Sequence, residues 1–119
     1  MSLEEKIKNA KTGESLFDDI PQEEIDRIKK LAKIVWFIHE NRNKLKYEEI
    51  GENEYIMYFN DMPDDIGVGE TIIESMIDLA DTLLCTYEEY AECPESELDA
   101  GALELREWLL QNLKQPLTN

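Results

Sequence analysis

Residues 21–42, PQEEIDRIKKLAKIVWFIHENR, decide the fold class. Pro21 suits the first turn of a helix, because its φ is preset and its missing N–H would go unused there. Glu23, Glu24 and Asp26 follow, beside the positive end of the helix dipole. Ile25, Ile28, Leu31, Ala32, Val35 and Ile38 then recur at helical spacing. Taken alone, Ile34-Val35-Trp36-Phe37-Ile38 could form a strand; the long periodic lead-in predicts a helix to about Arg42. This belt is apolar all the way round, so it is either buried on every side or partly exposed as a docking patch.

Upstream of this helix, Ser2 with Glu5 makes a capping box and Gly13 suits a helix stop. Leu3, Ile7 and Ala10 between them predict a short first helix, and Glu14 to Ile20 reads as a link. Downstream, Lys46 to Ile50 and Glu54 to Phe59 are rich in Tyr, Ile and Phe around Gly-Glu-Asn, which predicts a β-hairpin. Asn60 to Gly69, punctuated by Pro63, Gly67 and Gly69, reads as a loop. Thr71 with Glu74 opens a third helix whose apolar face is Ile72, Ile73, Met76, Ile77, Ala80, Leu83 and Leu84. Ser96 with Asp99 opens a last helix, with Leu98, Ala102, Leu105, Leu109 and Leu113 inward and Pro116 at its end. The expectation is a mainly α single domain over residues 1–119, with four helices and one small β-hairpin. An all-α bundle is the alternative if residues 47–59 are irregular.

The charge is unevenly spread. Tyr47 to Leu105 holds eighteen Asp and Glu and no Lys or Arg. Residues 47–119 carry two basic against nineteen acidic side chains, a formal −17, whereas residues 1–46 carry ten against nine. The net charge of −16 argues against direct binding to nucleic acid or an anionic membrane, and for a basic protein partner. No run of apolar residues is long enough for a transmembrane helix, and the N-terminus lacks a signal-peptide layout. A cytoplasmic location is expected, with Cys85 and Cys93 as reduced thiols.

No motif names a reaction. The spacing of Cys85, Cys93 and the lone His39 does not suit zinc, and Asp61 onward fails the calcium-loop template at Pro63 and Ile72. Gly67-Val68-Gly69 is a poor phosphate cradle without a third glycine or a lysine. The expectation is a protein that is not an enzyme and carries no cofactor or metal.

Glu70, Glu74, Asp78 and Asp81, at spacings of four, four and three, fall along one helix face. Like charges so placed oppose the helix by a few tenths of a kcal/mol per pair, roughly, and no basic neighbour in sequence relieves them. A basic partner would relieve them; the competing reading is a solvated face. Glu88, Glu89, Glu92, Glu95, Glu97 and Asp99 form a second acidic group, with Tyr87 and Tyr90 as aromatic anchors or as core residues. The candidate partner-binding set is therefore Glu70, Glu74, Asp78, Asp81, Tyr87, Glu88, Glu89 and Tyr90.

This pattern predicts an acidic interaction module, most specifically an inhibitor of the immunity-protein, antitoxin or DNA-mimic kind, that docks on a basic protein surface. The alternative is a structural or regulatory domain that self-associates, as a homodimer for instance, or assembles through an apolar patch around Trp36 or the hairpin edge.

Overall fold

A computed structural model describes residues 19–91 and 93–118. The expected helix over residues 2–13 lies outside them. Among the described residues there are three long helices and a three-stranded antiparallel sheet: α1 (Gln22–Glu40), β1 (Leu45–Gly51), β2 (Glu54–Phe59), β3 (Met62–Gly69), α2 (Ile72–Tyr90) and α3 (Ala100–Thr118). Short 3₁₀ turns at Arg42–Lys44 and Glu95–Glu97 link α1 to β1 and α2 to α3. The mainly helical class holds, and the sheet excludes the all-α bundle.

The hairpin forms where its composition places it. Asn53 sits at φ 56°, a left-handed conformation that asparagine tolerates better than most residues, and so closes the β1–β2 turn. The reading of residues 60–69 as a loop is overturned, because Met62–Gly69 is the third strand, in the order β1-β2-β3. Two features disguise it. Pro63, which cannot donate to a ladder, falls in the irregular part between the pairs Met57–Gly67 and Phe59–Met62. Gly67 and Gly69 are strand residues whose missing side chains make room for α2. A Cβ on Gly67 would lie 2.1 Å from the Ser75 carbonyl oxygen and 2.5 Å from the Leu79 nitrogen. One on Gly69 would lie 2.7 Å from the Ser75 nitrogen.

That approach sets the rotation of α2. Ser75, Leu79, Ala80, Leu83 and Leu84 are buried, while Ile72, Ile73 and Ile77, expected on the inner face, are more than half exposed. Ser75 is small enough to meet the glycine strand, and its hydroxyl donates to the Thr71 and Tyr55 carbonyls at 3.0 and 3.3 Å. The expected cap is present: Thr71 Oγ1 accepts from the Glu74 N–H at 3.1 Å, and Glu74 Oε2 accepts from the Glu70 N–H at 2.8 Å.

The apolar belt of α1 is divided. Ile34 and Ile38 are fully buried, Val35 and Phe37 pack beside them, and Trp36 is 62% exposed. Ile28 also faces out. Phe37, Phe59 and Trp108 cluster where α1, β2 and α3 meet, with ring centroids 5.4–6.4 Å apart. The last helix starts later than Ser96, since Asp99 Oδ1 accepts from the Ala102 N–H at 2.8 Å, and it continues through Pro116 to Thr118. Leu109 and Leu113 seat it in the common core with Ile34, Phe59, Leu79 and Leu83.

A methyl group at position 67 should break the strand–helix contact. Gly67→Ala is expected to cost about 1–3 kcal/mol or more in urea unfolding. Gly101→Ala, where the nearest atom is 3.6 Å away in the first turn of α3, should instead gain about 0.5 kcal/mol.

Candidate functional site

The rotation of α2 that buries Ser75 and Leu79 turns Ile73 and Ile77 outward, among the carboxylates. Ile77 shares a groove of about 470 Å³ with Leu31 of α1 and Val68 of β3. Glu74, Asp78 and Asp81 line the same groove. An apolar floor therefore carries an acidic border, at the place where α1, α2 and the free edge of β3 meet.

Each carboxylate there has a local task as well. Glu74 completes the cap of α2. Asp78 Oδ2 accepts from the Val68 N–H at 2.8 Å, which satisfies one donor on the open edge of the sheet. Asp81 lies 2.9 Å from Arg27 Nη2, and Glu88 lies 2.9 Å from Arg27 Nη1. The row lacks a basic neighbour only along the sequence; α1, packed beside α2, supplies one in space. The guanidinium also approaches Cys85 Sγ at 3.3 Å. The hydrogen bond to Asp81, followed by that to Cys85, raises the Arg27 pKa above its ordinary value. Both ion pairs are about half exposed, so each contributes little to stability. Their effect is to fix Asp81 and Glu88 in place.

The eight candidate residues are thus distributed along α2 and its cap. Glu70, Glu74 and Asp78 are exposed near its N-terminal end, and Asp81 is half-buried at mid-helix. Tyr87 and Tyr90 are half-buried and pack against the core. Glu88 and Glu89 are exposed. Tyr87 and Glu88 line a separate recess of about 440 Å³ with Lys30, Leu84, Leu117 and Thr118. A third groove, of about 640 Å³, runs past Trp36 and Phe37 to Gln115 and Pro116. Cys85 and Cys93 are free thiols, the first exposed and the second half-buried. No group of three or more His, Cys, Asp or Glu converges as metal ligands would, among the described residues. No helix among them is long and apolar enough to cross a membrane.

Sequence reasoning missed the floor of the first groove. Leu31, Val68 and Ile77 were assigned to core faces or to a loop. That reasoning missed Asp65 as well, which is buried on β3. Desolvation raises the Asp65 pKa, the Thr86 hydroxyl opposes that shift, and Asp64 adds to it. The Thr86 hydroxyl also donates to the Thr82 carbonyl at 2.9 Å, so its single proton is shared and compensates Asp65 only in part. Asp65 Oδ2 has no hydrogen-bond partner.

An unfolded Asp titrates near about 3.9, and the folded group holds its proton to higher pH. The native state therefore binds more protons in that interval, and stability falls as pH rises through the folded pKa. Asp65→Asn, which has no charge to bury, should be more stable than the parent by roughly 1–3 kcal/mol at pH 7. Urea midpoints measured across the acid range should show that advantage shrinking as pH falls through the folded pKa and gone below the unfolded pKa.

Freeing the two carboxylates is a separate test. Arg27→Ala should lower stability by only about 0.5–1 kcal/mol in chemical denaturation.

Compared with protein-family models, curated proteins and solved structures, the chain matches none of them.

Proposed function

We propose that this protein is a non-catalytic interaction module that receives a basic segment of a partner protein in the groove between α1, β3 and α2. The observation that carries this reading is the combination of an exposed apolar floor, Leu31, Val68 and Ile77, with a border of Glu74, Asp78 and Asp81. Exposed isoleucines beside carboxylates suit a ligand that is amphipathic and cationic, with an apolar anchor flanked by Lys or Arg.

The division of labour is physical. The anionic field of residues 47–119 accelerates encounter with a cationic surface and has little effect on residence time. Ile73, Ile77 and Val68 supply the area that loses water on docking and so hold the complex together. Glu70 extends the acidic border at the helix start. Glu88 and Glu89 extend it toward the other end, with Tyr87 and Tyr90 as the aromatic surface beside them. The partner-facing role is that of an inhibitor that masks the basic segment it receives.

The test separates the two contributions. The probes are fluorescently labelled Arg- and Lys-rich peptides carrying a Leu or Ile anchor, followed by stopped flow and anisotropy at low and physiological salt. The combined change Glu74→Gln, Asp78→Asn and Asp81→Asn keeps hydrogen-bond acceptors while removing charge, and should slow association about tenfold or more at low salt. Ile77→Ala should act chiefly on dissociation. Peptide binding that is unmoved by the triple change would overturn the proposal.

A further inference from the structure

The other edge of the sheet points to a different partner. β1 contacts β2 extensively and no helix to a comparable degree, among the described residues. All of it beyond Leu45 is exposed, and Tyr47 is 37% exposed. A bare edge strand presents a row of backbone donors and acceptors ready to pair with another strand. At the opposite edge Asp78 takes up the Val68 N–H.

The charges around β1 specify which strand fits. Arg42, Lys44 and Lys46 precede Tyr47, and Glu48, Glu49 and Glu52 follow it. The sign of the charge inverts about Tyr47. In an antiparallel pairing of two identical strands with a two-fold axis at Tyr47, Lys46 of each copy lies directly opposite Glu48 of the other. Leu45 then faces Glu49, and Arg42 at one end of the strand approaches Glu52 of the second copy. A two-fold axis at Glu48 would instead set two carboxylates against each other. Directly opposed side chains on one sheet face interact, with unlike charges favoured and like charges disfavoured.

We propose that β1 is a self-association edge, pairing antiparallel with β1 of a second copy about Tyr47 to make one continuous six-stranded sheet. Tyr47 already stacks on Tyr55 at a centroid distance of 5.2 Å and an interplanar angle of 10°. In the pair, the two Tyr47 side chains meet on the same face and join two such stacks into a row. The axis stands normal to the sheet, so both sets of helices lie on one side of it. This end of the molecule carries the basic residues Arg42, Lys44 and Lys46, so the net charge of −16 on each chain opposes this contact less than any through α2.

One strand per copy makes a small interface, so the dimer is concentration-dependent. Light scattering on the full chain, over roughly micromolar to millimolar concentration, should show a mass rising toward twice 13.9 kDa. Glu48→Lys alone and Lys46→Glu alone each turn two symmetry-related attractions into repulsions and should weaken the dimer by about tenfold to a hundredfold. The exchange Lys46→Glu with Glu48→Lys restores complementarity and should restore the dimer. Lys46 and Glu48 are both exposed, and circular dichroism should show each variant folded. A monomer throughout the concentration range would overturn the proposal. So would a dimer indifferent to the single changes, or one that the double exchange fails to rescue.

Discussion

The contact on which the rest of this structure depends is the approach of the α2 backbone to β3 at Gly67 and Gly69. No side chain stands between strand and helix there, and Ser75 fills the remaining space with a hydroxyl whose proton is taken up by backbone carbonyls. Interiors are packed densely enough that a single methyl group at such a point must displace something. Because backbone meets backbone, the helix has little freedom to roll. Leu79, Leu83 and Leu84 are committed to the core, and Ile73 and Ile77 to the surface.

The surface chemistry follows from that commitment. Had α2 rolled to bury its isoleucines, the acidic row would border nothing apolar. As it stands, the same helix that closes the core displays an apolar strip among carboxylates. Those carboxylates are held by ordinary local bonds: a helix cap at Glu74, a strand N–H at Asp78, and Arg27 at Asp81 and Glu88. Such bonds cost a binding surface little, since each carboxylate retains further acceptor capacity and exposure. They also reduce the ordering that docking would otherwise require.

The two edges of the sheet are treated differently by the same physics. β3 lies against a helix, with one of its outward donors taken by Asp78. β1 is bare, and its protection is the charge along it, basic before Tyr47 and acidic after it, which disfavours many registers with other strands. A pattern that excludes many partners and is complementary to itself in one register is a specification as well as a defence. Asp65, buried with one carboxylate oxygen unpartnered, shows that burial in this fold is not tuned everywhere for stability at neutral pH.

Much of this was legible in the residues. Helical periodicity located α1, α2 and α3, and a cap located the start of α2, because those signals are local: the Thr71 hydroxyl and the Glu74 carboxylate act within one turn. The other ends were less legible, since α2 runs on to Tyr90 and α3 begins at Ala100, past the cap expected at Ser96. The β1–β2 hairpin was legible for the same reason, through two segments rich in Tyr, Ile and Phe around Gly51-Glu52-Asn53. The charge asymmetry belongs to the sequence outright, since it needs only counting. Tertiary structure alone decided what Gly67 and Gly69 are for, because a glycine that punctuates a loop and one that admits a neighbouring helix look alike until the neighbour is in place. It decided which of two candidate faces α2 buries, since Ile72, Ile73 and Leu79 are all apolar and only the glycine strand breaks the tie. It also placed Arg27 beside Asp81 and Glu88, fifty-four and sixty-one residues away, a pairing that depends on how two helices lie together and on nothing written near either of them.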